Sequence, residues 1–304
     1  MAGVALASNR DDAPSPMVKE GFIDVTGGRV WYRIAGADKP GIPLLVLHGG
    51  PGATHDYLTS LEALADERPV IFYDQLGGGN SDRPADPGLW TVSRFVEELE
   101  QVRTALQLKQ LHILGQSWGT MLGVEYMLRK KPTGVHRLIL SAPYLSTARW
   151  VADQRQAIKQ LPAAVQETIL AHEASGDFAS PAYQETMLAF YRKHLCRLDP
   201  WPDNLNRTME KMGIEVYMQM WGPSEFTMTG SLAKADLCGQ LNQITIPVLF
   251  TCGEFDEATP ATTRFYQELI PGAKIYVFKD ASHSHHLEKP DEFNAVVRAF
   301  MREK

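Results

Sequence analysis

The sequence has few cysteines, and they do not pair into any pattern. Cys196, Cys238 and Cys252 are odd in number and scattered, with no C-x-x-C among them. That suggests neither a disulfide framework nor a zinc site and fits small buried hydrophobes in a reducing compartment. No apolar run approaches the roughly 20 residues of a membrane span. The formal net charge is −6 and no basic stripe is visible, which argues against nucleic acid as a partner. Internal repeats and low-complexity segments are absent. The opening stretch "MAGVALASNRDDAPSP" holds an Ala-Leu-Ala but lacks the positive and long apolar regions of a secretory leader. Residues 1–17 therefore read as a mobile tail, and a cytoplasmic protein is expected.

What remains is ordinary for a globular chain: 304 residues, 44% hydrophobic and 22% charged. "FIDVTGGRVWYRIAG" reads as a hairpin around Gly27-Gly28. Six nearly continuous Val/Ile/Leu/Phe runs follow: "PLLVLHGG", "PVIFYDQLGGG", "LHILGQSWG", "RLILSAP", "PVLFTCGE" and "AKIYVFKDAS". Such runs suit strands covered on both faces, and the helical patterns between several of them imply a mostly parallel α/β sheet. About 100 residues between "RLILSAP" and "ITIPVLFTCGE" carry no clear strand. They hold Gln, Ala, Met, Tyr and Trp at helical spacing instead, which suggests a helical insertion. The expected division is a core over 18–143 and 239–304 with a cap over 144–238.

Gly115-Gln116-Ser117-Trp118-Gly119 is the first chemical signal. A bare G-x-S-x-G arises by chance in on the order of one chain in ten, so its context decides. Here an apolar strand enters and an amphipathic helix leaves, as a nucleophile elbow requires. A serine nucleophile needs a base, and the base needs an orienting acid, in the chain order Ser, acid, His. Asp256 follows "PVLFTCGE", with Glu254 and Glu257 as rivals in the same loop. His283 follows "AKIYVFKDAS", with His285 and His286 beside it. Both loops leave the C-terminal ends of parallel strands, where α/β sites assemble.

His48-Gly-Gly-Pro-Gly52, "FYDQLGGGNSDRP", the Ser117 elbow, "GEFDEATP" and "SHSHHLEKP" together resemble the proline iminopeptidases (prolyl aminopeptidases) of the α/β-hydrolase superfamily. "HLCR…WP" and "VYMQMWGPSEFTMTG" are similar to the tricorn-interacting aminopeptidase and L-amino-acid amidase branch. The resemblance implies an α/β-hydrolase fold with an eight-stranded, mostly parallel sheet and a helical cap. It implies Ser117, Asp256 and His283 as the triad, and backbone N–H groups of Gly50 and Trp118 as the oxyanion hole. It also implies that Glu225 and Glu257 bind a free α-ammonium group, with Tyr217 beside them. Trp221 and Phe226 would wall the substrate pocket. The expected substrates are short peptides or amino-acid amides with a free N-terminal amine, cleaved without metal or cofactor. An amino-acid amidase, or an esterase or lactonase with the same triad, is the alternative.

Overall fold

The computed structural model describes residues 17–303. The expected tail lies outside the described residues except for Met17. Eight strands form one sheet in the order β1-β2-β4-β3-β5-β6-β7-β8. They are β1 (Val18–Val25), β2 (Gly28–Ala35), β3 (Leu44–Leu47), β4 (Val70–Tyr73), β5 (Leu111–Gln116), β6 (Val135–Ser141), β7 (Val248–Gly253) and β8 (Lys274–Phe278). β1 and β2 pair as the expected hairpin, with Val25 opposite Gly28. β2 meets β4 antiparallel, and every pairing from β4 through β8 is parallel.

Strand periodicity explains why the central runs are apolar throughout. Leu45 and Leu47 of β3 enter one core, and Leu44 and Val46 enter the other. β4 repeats the split, with Ile71 and Tyr73 on one face and Val70 and Phe72 on the opposite one. Helices α1 (Val92–Ala105) and α2 (Trp118–Lys130) cover the first face. The 3-10 segment Asp56–Asp66 and the C-terminal helix, Pro290–Arg302, cover the second. Thr91 caps α1, its hydroxyl accepting the Arg94 N–H at 3.2 Å. β8 departs from the sequence expectation: Lys274 and Tyr276 face solvent, because it is an edge strand with one neighbour.

Between β6 and β7 lie five helices: α3 (Thr147–Ile158), α4 (Ala163–Ser175), α5 (Pro181–His194), α6 (Asp203–Glu210) and α7 (Ile214–Met220). Ile158, Ile169, Tyr183, Phe190 and Phe226 build a small core of their own there. Phe226 is thus packed inside this core and does not line the substrate cavity described below. After β7 come α8 (Pro260–Glu268), β8, the short α9 (His285–Glu288) and α10 (Pro290–Arg302). Among the described residues, no helix is long and apolar enough to cross a membrane. The cysteines are unpaired; Cys196 and Cys252 are buried and Cys238 is half-buried.

Candidate active site

Ser117 joins β5 to α2 at φ +55°, a left-handed conformation that a serine adopts only under constraint. The flanking glycines permit it. A Cβ on Gly115 would stand 2.2 Å from the Gly119 carbonyl oxygen, and one on Gly119 would stand 2.2 Å from that of Leu47. The Ser117 N–H donates back to the Ser141 carbonyl at 3.0 Å, leaving the side chain at the floor of a cavity.

The loops after β7 and β8 bring Asp256 and His283 together. Asp256 Oδ1 meets His283 Nδ1 at 2.8 Å and also accepts the Ala258 N–H at 2.8 Å. Its Oδ2 accepts the Gly253 N–H at 3.1 Å. The rival acids go elsewhere. Glu254 is exposed and accepts the Asp280 N–H at 3.1 Å. Glu257 Oε1 lies 3.7 Å from the other ring nitrogen of His283. The three histidines also separate. Nε2 of His285 meets the hydroxyls of Ser141 and Thr251, each at 3.0 Å, and Nε2 of His286 meets the Tyr57 carbonyl at 3.1 Å. Burial lowers His285 to about 4, so it serves as a neutral link between β6, β7 and the His283 loop.

The His48–Gly52 stretch wraps against the elbow. A Cβ on Gly49 would stand 2.9 Å from that of Ser117, so side chains are excluded there. Gly50 has φ +107° and a cis bond to Pro51. Neither Gly50 N–H nor Trp118 N–H meets a protein acceptor among the described residues. His48 ties the loop down: its Nδ1 donates to the Gly49 carbonyl at 2.9 Å and its Nε2 accepts the Gln75 N–H at 2.9 Å. Gln75 Oε1 accepts the Trp118 indole N–H at 2.9 Å.

Sequence reasoning missed Tyr57. Its hydroxyl accepts the Gly49 N–H at 2.8 Å and donates to Gln116 Oε1 at 2.5 Å. The Gln116 amide reaches the His283 carbonyl at 3.3 Å. One phenol therefore links the glycine loop, the elbow and the histidine loop. No local motif announces it, because those partners are far apart in the chain.

A cavity of about 360 Å³ opens above Ser117, lined by Gly50, His283, Glu225 and Tyr217 among others. Glu225 hangs from the cap, its Oε1 accepting the Tyr217 hydroxyl at 2.8 Å. Glu257 does not itself line the cavity: it is 1% exposed, and neither carboxylate oxygen has a hydrogen-bond partner. Helix α3 holds both glutamates by their backbones: Trp150 Nε1 donates to the Glu225 carbonyl at 2.8 Å, and Gln154 Nε2 donates to that of Glu257 at 3.0 Å. Trp221, expected at the pocket wall, does not line the cavity. It is fully buried, stacked on Tyr217 and packed against Tyr144 and Trp150, with its N–H on the Ser224 carbonyl. Apolar bulk at that depth is better buried in the cap–core seam than exposed to the cavity.

The electrostatics are one-sided. Burial raises Glu225 to about 7, restrained by His283 and Tyr217. Burial also lifts Glu257 well above the carboxylate range; His283 pulls it down while Glu225 and Asp256 push it further up. Burial opposes charge on His283, but Asp256, Glu257 and Glu225 outweigh it and raise the ring to about 9. The three carboxylates thus favour the protonated ring in the free enzyme. Replacing Glu257 removes one of the groups that stabilise the protonated ring, which lowers that value. Glu257→Gln is accordingly expected to move the acidic limb of the kcat/KM–pH profile to lower pH, since that limb reports the free enzyme. An unmoved limb would dissociate Glu257 from His283.

The chain matches a family model described as the alpha/beta hydrolase fold over residues 42–290. It is 47% identical to a proline iminopeptidase of Heyndrickxia coagulans, over 94% of this chain and 99% of that one. A crystal structure of proline iminopeptidase from Mycobacterium smegmatis superposes with a TM-score of 0.86 at 38% identity, covering 93% of this chain and 97% of that one. The crystal structure of VinJ superposes at 0.89 with 35% identity, covering 95% and 99%. Sequence, topology and the serine elbow agree: this chain belongs to the proline iminopeptidase family of α/β hydrolases.

Proposed function

We propose that the protein is a cytoplasmic serine aminopeptidase that releases an N-terminal proline, or another small apolar residue, from short peptides or amino-acid amides. Ser117 Oγ attacks the scissile carbonyl carbon while His283 takes its proton and Asp256 holds the imidazolium. The carbonyl oxygen becomes an oxyanion facing the unpaired N–H groups of Gly50 and Trp118. His283 then returns the proton to the leaving amine, and the C–N bond breaks. Water, activated by the same histidine, releases the acyl group from Ser117.

One observation carries the choice of an aminopeptidase over a general esterase: the buried carboxylate of Glu257, without a partner, close to Glu225 and His283. A buried unpaired carboxylate is costly, and a cationic ligand relieves it. The free α-ammonium of a substrate supplies that charge next to the scissile carbonyl, and Tyr217 keeps Glu225 turned toward it. Glu225→Ala tests this. It should reduce kcat/KM for a prolyl anilide by roughly tenfold to a hundredfold, as expected for losing a charge-assisted contact. Hydrolysis of a small acetate ester should change little. Equal losses on both substrates would make Glu225 a structural residue.

A further inference from the structure

The cavity supplies the Glu225 carboxylate for an amine and no cation for a carboxylate. No lysine or arginine lines it among the described residues. The cations on its rim are already engaged: Arg207 and Lys211 pair with Asp56, and Arg83 donates to the carbonyls of Lys211 and Met212. Glu210 and Glu215 are exposed on α6 and α7, next in sequence to the lining residues Met209 and Ile214. The way out is apolar. Leu205, Met187 and Met212 line it between floor and surface, and Met209, Ile214 and Met218 line the rim at 39%, 55% and 48% exposure. Large apolar side chains are seldom left open to water in such a group without a ligand to cover them. Methionine, unbranched and polarisable, adapts to apolar partners of varied shape.

From this we infer that the enzyme selects its leaving group: a bulky apolar amine whose nearest carboxylate is absent or amidated. The inference rests on the proposed ammonium site. With the amine held at Glu225 and Glu257 and the carbonyl at Ser117, the remainder of the substrate must leave through the methionine-lined mouth. A free dipeptide would carry its carboxylate into that passage with no cationic side chain in the lining to meet it. An aryl or alkyl amide, or a longer peptide whose carboxylate lies beyond the mouth, meets mostly thioethers and aliphatic groups, with Gln184, Tyr191 and Thr208 the uncharged polar side chains among them. In the reactive state His283 offers no substitute cation, because its Nδ1 is held by Asp256 and its ring is neutral to accept the serine proton.

The test compares prolyl-leucine, prolyl-leucinamide, prolyl-glycinamide and N-acetylprolyl-leucinamide with the full-length enzyme. The expected result is kcat/KM at least tenfold higher for leucinamide than for free leucine, expressed mainly in KM, with leucinamide also ahead of glycinamide. Met218→Lys, at an exposed site that tolerates a long polar chain, should lower the amide-to-acid ratio several-fold. Met209→Lys provides a second variant should the first fail to fold, as judged by thermal melting. Equal rates for acid and amide, equal rates for leucinamide and glycinamide, or an unchanged ratio in both lysine variants would overturn the inference while leaving the ammonium site intact. Cleavage of the N-acetyl compound as fast as the free amine would instead overturn the ammonium site, and with it the orientation used here.

Discussion

Ser117→Ala is expected to lower kcat for a prolyl anilide by roughly 10⁶, the scale on which loss of a serine nucleophile acts in a preassembled triad. Alanine keeps the Cβ, so the elbow retains its φ of +55° and the flanking contacts of Gly115 and Gly119 are undisturbed. The open N–H groups of Gly50 and Trp118 also persist, and residual catalysis over water should reflect them. Melting temperature should scarcely change. Labelling by a serine-directed phosphonate should vanish, and peptide mapping of the wild-type adduct should return the segment around Ser117. Persistent labelling at another serine would refute the assignment.

Asp256→Asn should cost about 10⁴ in kcat, because an amide can present an N–H to Nδ1 and favour the wrong imidazole tautomer. It should also weaken the fold. Three donors converge on the carboxylate, from Gly253, Ala258 and His283, whereas asparagine offers a single acceptor oxygen. Leaving a buried donor unsatisfied costs about 1–3 kcal/mol, visible as a lower Tm. Glu254→Gln is the control. That carboxylate is exposed and bound only to the Asp280 N–H, so activity should stay near wild type and stability should shift by no more than about 0.5 kcal/mol. If Glu254→Gln is the crippled variant, the acid has been misassigned.

The sheet and the elbow were legible because their signals are local. Strand periodicity and the Gly-x-Ser-x-Gly spacing are written within a few residues, and each β-run ended where its loop began. The acid and the histidine were legible as Asp256 and His283 by their place after a strand and by resemblance, each with rivals in its own loop that only direction in space separates. Glu254 turns outward and His285 turns into the β6–β7 seam. Trp221 shows the opposite limit. Its helical spacing fitted a pocket wall as well as a core, and only packing behind Tyr217 distinguishes the two. Tyr57 had no signal at all, since its hydroxyl matters through Gly49 and Gln116, brought to it by the fold.

Helix α3 gives the site a common anchor. Trp150 and Gln154 stand four residues apart, about 6 Å of helical rise, and each indole or amide N–H grips the main chain of one glutamate. One of those glutamates belongs to the cap and the other to the core. The main chains that carry the two carboxylates are therefore anchored to the same helix. On the proposed reading, a substrate ammonium would meet two carboxylates whose main chains are anchored by one helix.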